Sequence, residues 1–221
     1  MYAEKNMKLK ERMIKIAAVC GVAGIVVLGG TTAYLTDYDS AVNEFTVGKV
    51  EIDLLEPNWE PDENVDIEPS EVISKDPQIK NIGVNDCFAY LEISVPMAEV
   101  TTADKEGNRI DQKLTELFSY VKDAGWTQME SKTSGGYKIY TYCYNKVLKP
   151  NETTTALFDT VTFANIIEGQ LDTQHLEIPV RAYAIQTVNT GGDTGTIVQQ
   201  ATTAFQKYVN QNAGQSGAVS S

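Results

Sequence analysis

The side chains able to do chemistry are few in this 221-residue chain, and they are scattered. There is one histidine, His175, beside the start of a strand-like run. A single imidazole cannot fill an H-E-x-x-H zinc motif, and neither of two downstream cysteines can have more than that one histidine as a partner. Those cysteines, Cys87 and Cys143, both lie in strand-like segments. They are a candidate disulfide or two separate buried thiols. The stretch Glu56–Glu71 gathers Glu60, Asp62, Glu63, Asp66 and Glu68 around Pro57, Pro61 and Pro69. Clustered carboxylates are the raw material of a Ca²⁺ site, but the D-x-[DN]-x-[DN]-G spacing is missing, so a solvated loop is expected. No glycine cluster reads as a phosphate loop. The expectation is a binding or structural protein with no catalytic residue, no metal site and no cofactor.

One site invites chemistry upon the chain itself. Residues 1–15 hold five basic and two acidic side chains, residues 16–36 hold none, and Thr31-Thr32-Ala33 follows the apolar core at 16–30. A basic flank, an apolar run and two small residues, here Thr31 and Ala33, are the parts of a secretory signal peptide, which places the cut between Ala33 and Tyr34. The competing readings are an uncleaved membrane anchor, since the run is close to the ~20 residues a span requires, and a lipoprotein using Cys20. The anchor is disfavoured by Gly21, Gly24, Gly29 and Gly30, and the lipoprotein by the residues before Cys20. Cleavage leaves 188 residues and takes the net charge from −12 to −15. Such a chain repels nucleic acid and anionic membrane, so its only membrane contact is expected through residues 16–36 before cleavage.

The remaining residues read as an antiparallel β domain over 44–212, between a mobile segment at 34–43 and a disordered tail at 213–221. Phe45 and Val47, then Val50, Ile52 and Leu54, are apolar at alternate positions, with a parity change at Gly48 that a β-bulge would absorb. Val72–Ile82 reads as a second strand. In the next strand Cys87, Ala89, Leu91, Ile93 and Val95 lie on one face and Phe88, Tyr90, Glu92 and Ser94 on the other, and the strand is expected to end at Pro96. Leu114, Leu117, Phe118 and Val121 recur at i, i+3, i+4 and i+7, which predicts one inserted amphipathic helix between Asp111 and Gly125. Tyr137–Tyr144 carries four tyrosines, as a half-buried strand or as a carbohydrate-binding face. Leu176–Ala184 alternates as a last strand, and Ile197, Ala201, Ala204, Phe205 and Tyr208 are helically spaced. The fold class expected is mainly β, an antiparallel β-sandwich with the inserted helix, a C-terminal helix and an N-terminal signal helix.

The residues A-Y-L-T-D at 33–37 and N-E-F-T-V-G-K-V-E-I-D-L-L-E-P at 43–57 resemble the signal-peptide junction of the TasA/camelysin family. The similarity continues through Lys75–Gly83, Ala89-Tyr90-Leu91, Glu116-Leu117-Phe118, Gly125-Trp126, Thr155–Val161 and Ala182–Gln186. It implies a secreted jelly-roll sandwich of Gram-positive bacteria, freed by a dedicated signal peptidase (SipW) and built into biofilm-matrix fibres. It further implies self-assembly, in which the N-terminal segment of one copy adds a strand to the next. The donor would be roughly Tyr34–Phe45, with Tyr34, Leu35, Tyr38, Val42 and Phe45 as its apolar side chains. Camelysin relatives are also classed as metalloproteases, which leaves a surface metallopeptidase as an alternative, beside a monomeric adhesin using the tyrosine-rich strand. Edman sequencing of the exported protein is expected to begin at Tyr34; a start at Met1 would mean an uncleaved anchor.

Overall fold

The computed structural model describes residues 36–38, 50–59, 67–167, 169–171, 175–190 and 194–213. Its central strand is β5 (Cys87–Ala103), 17 residues long. Cys87, Ala89, Leu91, Ile93 and Val95 face one apolar cluster, while Phe88 and Tyr90 face a second. A strand apolar on both sides needs cover on both faces and a neighbour along each edge. Its neighbours are β11 (Val180–Gln186) and β9 (Tyr137–Tyr144), both antiparallel. From β9 the sheet continues to β8 (Trp126–Ser134) across Gly135-Gly136. Both glycines sit at positive φ, 59° and 82°, the condition for a two-residue type I′ hairpin. At the opposite end β1 (Thr36–Tyr38) pairs with β11, giving the order β1-β11-β5-β9-β8.

The central strand does not stop at Pro96 as its sequence suggests. It runs on to Ala103 and takes β6 (Arg109–Glu116) as a new partner from Met97 onward. Pro96 falls between the start of β11, opposite Ile93, and the end of β6, opposite Met97. There its missing N–H removes no ladder bond. Beyond it the core-facing residues change parity to Ala98 and Val100.

The inserted helix is a correction. Leu114 lies in β6, and Phe118 in the short strand β7 (Phe118–Tyr120). Leu117 and Phe118 are buried, but Leu114 is 55% and Val121 88% exposed, so the helical spacing was a coincidence of four apolar residues. Pairing with the far half of β5 decides the conformation here, because ladder bonds across a sheet outweigh a weak local preference.

A second sheet, β3 (Val72–Ser74), β10 (Thr160–Phe163) and β7, is ordered β3-β10-β7. It turns Ile73, Val161, Phe163 and Phe118 into the same cluster as Leu91, Ile93 and Tyr142. The third pair is β2 (Ile52–Leu55) with β4 (Gln78–Asn81). Val50 and Ile52 are buried and Leu54 packs against the cluster, as their alternation predicts. The single strand expected at Val72–Ile82 is two strands separated by Pro77. The segment leaving β2 is pinned by buried Lys75, whose Nζ lies 2.7 Å from Glu56 Oε1 and 4.7 Å from the centroid of the Trp59 ring. Asp76 accepts hydrogen bonds from the Asn58 backbone and side-chain amides, both at 2.9 Å. The expected bulge at Gly48, with Phe45 and Val47, lies outside the described residues, as do residues 1–35.

The helix α1 (Ile197–Ala213) covers the outer face of the main sheet. Thr196 and Gln199 form its capping box: Gln199 Oε1 accepts from the Thr196 amide at 2.8 Å, and Thr196 Oγ1 from the Gln199 amide at 3.3 Å. Ala201 and Ala204 allow close approach, and the Tyr90 hydroxyl donates to the Ala201 carbonyl at 2.8 Å. Phe205 packs on Tyr90 at 5.1 Å and on Tyr183 at 6.3 Å. Truncating this ring removes the largest buried side chain of the helix. Phe205→Ala is therefore expected to cost about 3 kcal/mol in urea unfolding and to lower the helical circular dichroism signal while the sheet signal persists.

Candidate functional site at the sheet edge

The Ser94 N–H donates to the Pro179 carbonyl at 2.9 Å. In an antiparallel ladder alternate residues point their backbone groups to the same side. Arg181, Tyr183 and Ile185 therefore direct theirs at β5, and Val180, Ala182, Ala184 and Gln186 direct theirs outward. An outward row of peptide groups on a strand with buried side chains calls for another strand. That strand is β1, with Thr36 opposite Ile185, Asp37 opposite Ala184 and Tyr38 opposite Tyr183. The segment at 34–43, expected to be mobile in a lone subunit, thus holds a three-residue strand.

Tyr38 is the one residue of the expected assembly segment whose pairing is described. Thr31, Ala33, Tyr34, Leu35, Val42 and Phe45 lie outside the described residues. The position opposite Tyr38 belongs to an aromatic cluster, since Tyr183 lies 6.3 Å from Phe205 and 6.5 Å from Tyr208. Burial is the main force that pushes the Tyr183 hydroxyl up to about 12, with the Glu92 carboxylate adding to it. Glu92 also meets Arg181 across the strands at 3.5 Å. Sequence reasoning placed the last strand at 176–184, where the structure has it at Val180–Gln186, and missed its pairing with β1. The signal was there in Ala182 and Ala184 on one parity and Tyr183 and Ile185 on the other, all apolar or aromatic, which marks an inner strand rather than an edge.

The candidate disulfide is not formed. Both cysteines are free and buried. Cys87 faces the inner cluster, whereas Cys143, opposite Tyr90 in the ladder, faces the cluster beneath α1. Opposite faces of one sheet cannot be bridged. Burial pushes the Cys87 thiol up to about 12, with Asp86 contributing, and the Cys143 thiol up to about 11.

The other chemical groups stay apart. The His175 side chain is 88% exposed and meets only Glu177, at 3.5 Å, among the described residues. Of the acidic loop, residues 60–66 lie outside the described residues, while Glu56 is engaged by Lys75. Among the described residues no three His, Cys, Asp or Glu side chains come together as a metal site would require. Tyr142 is buried, with its hydroxyl 2.9 Å from that of Tyr120. Tyr140 donates to both oxygens of Glu116, at 2.8 and 2.9 Å, so the two tyrosines do not form an open binding face.

The profile of the camelysin metallo-endopeptidase family matches residues 6–133, more than half of the chain. The chain belongs to the camelysin family. No curated protein and no solved structure matches it. The metal that the family's description implies finds no fitting donor set among the described residues of this camelysin-family chain, since His175 stands alone and the two thiols are buried apart. No helix among the described residues is long and apolar enough to cross a membrane.

Because the thiolate is the reactive form, Cys87 and Cys143 of the native mature protein are expected to resist Ellman's reagent at pH 8. Both should react at once in guanidinium. Zero thiols after unfolding without reductant would instead reveal a bridge.

Proposed function

We propose that this camelysin-family chain is a secreted, non-catalytic structural protein that assembles into extracellular matrix fibres by exchange of its N-terminal strand. The observation that carries the reading is the pairing of β1 with β11. Residues 36–38 begin two residues beyond the expected cut after Ala33, and they lie along the end of the main sheet in a defined antiparallel register. A strand joined by three rows can leave its own sheet and form the same rows on a neighbouring copy, so exchange keeps these contacts while linking the copies. Such a contact is head-to-tail and need not close, which gives a filament. Removal of residues 1–33 by a dedicated signal peptidase is then the release step, because the segment is tied to the membrane until that cut. Family membership supports a surface or secreted location.

A second reading, a surface metallo-endopeptidase, is favoured by the family description alone. Casein hydrolysis abolished both by a chelator and by His175→Ala would support it.

Mature protein starting at Tyr34 is expected to form filaments visible by electron microscopy, and deletion of residues 34–45 to leave it monomeric by sedimentation. A mature chain that stays monomeric across concentration, pH and salt would sink the assembly reading.

A further inference from the structure

One row of residues crosses four strands of the main sheet: Tyr38 in β1, Tyr183 in β11, Tyr90 in β5 and Cys143 in β9. Residues directly opposite one another in an antiparallel ladder share a face, and here it is the face that α1 covers. The helix crosses this row turn by turn. Its Ala201 carbonyl accepts from the Tyr90 hydroxyl at 2.8 Å, its Phe205 ring lies against both Tyr90 and Tyr183, and its Tyr208 ring lies 6.5 Å from that of Tyr183. Positions 201, 205 and 208 thus step from β5 to β11. The helix continues to Ala213, a further turn of ~5.4 Å, and the next strand beyond β11 is β1, ~4.8 Å away.

The helix has little hold on its own form. Ile197, Val198, Thr202, Thr203 and Val209 are β-branched, which lowers helix propensity. The Thr202 and Thr203 hydroxyls donate back to the carbonyls of Val198 and Gln199, at 2.7 and 3.0 Å, a bond that slightly weakens a helix. The last turn has no basic side chain to meet the helix dipole. Such a helix depends on its docking to the sheet. The strand β1 is held by three rows of pairing, one of them to Tyr183. Two weakly held elements therefore share one residue between them.

We propose that α1 is a clamp on β1: docking of the helix, transmitted from Phe205 and Tyr208 through Tyr183, holds the N-terminal strand on β11, and undocking releases it. Such coupling is reciprocal, so loss of β1 loosens the helix by the same factor. Under the assembly reading above, on which this consequence rests, the clamp sets the rate of strand exchange. Exchange replaces one β1 by an identical one, so a looser clamp speeds the process and leaves its end point unchanged.

The test reads amide hydrogen exchange by nuclear magnetic resonance in the mature chain, kept below the concentration at which filaments grow. Asp37 is opposite Ala184, whose peptide groups point at β1, so the Ala184 amide reports on that strand. Tyr208→Ala is expected to speed exchange at Ala184 at least about fivefold, the low end of coupling between linked sites. Leu91 and Tyr142, paired at the centre of the sheet, should keep their protection. The control Val209→Ala alters the same turn of the helix at a 44% exposed site, and should leave Ala184 as in the wild type. Under filament-forming conditions, seeded elongation should be faster for Tyr208→Ala than for the wild type or the control. Unchanged exchange at Ala184, an equal loss of protection at Leu91 and Tyr142, or faster exchange at Ala184 with no gain in elongation overturns the clamp. Absence of filaments from the wild type overturns the assembly reading instead, and exchange at Ala184 then decides the clamp by itself.

Discussion

Both faces of β5 are apolar, and most of the architecture follows from that. One face is buried by the β3-β10-β7 sheet and the β2-β4 pair, and the other by α1. Its peptide groups take β11 along one edge and β9 along the other, and after Pro96 they take β6. A strand that has lost water on both faces and both edges cannot be exposed piecemeal, so the sheet, the cover and the helix stand or fall with it.

That burden passes outward to β11. Ala182 and Ala184 are buried on one face and Ile185 on the other, yet β11 lies next to the end of the sheet, where only three residues of β1 follow it. The sheet therefore ends with its least-supported strand beside one of its better-buried ones. The chain segment expected to be freed by cleavage is the segment that occupies this place. In the proposed assembly, stability and strand exchange draw on the same row of outward peptide groups on Val180–Gln186.

The two opposed residue sets of Cys87–Val95, the strand-forming aromatics of Tyr137–Tyr144 and the alternation in Leu176–Ala184 marked strands of the main sheet. The C-terminal helix was legible from Ile197, Ala201, Ala204, Phe205 and Tyr208, all on the face that meets the sheet. The 109–121 region misled for a physical reason. Its apolar residues are divided between exposed Leu114 and Val121 and buried Leu117 and Phe118, and its conformation is set by a partner that the local pattern does not reveal. Pro96 misled in the same way, since proline ends a strand only where a neighbour requires its amide. The pairing of residues 36–38 with β11 was not legible, because a contact across some 145 residues of sequence leaves no local trace.

Cys87 and Cys143 lie on opposite faces of one sheet, each packed among apolar neighbours. No covalent cross-link therefore supports the described part of this domain, and its cohesion comes from packing, hydrogen bonds and ion pairs such as Lys75–Glu56. Its folding has no step that waits for an oxidant or an isomerase of disulfides. Reducing surroundings, such as those inside a dense microbial community starved of oxygen, would leave it as strong as it is in air.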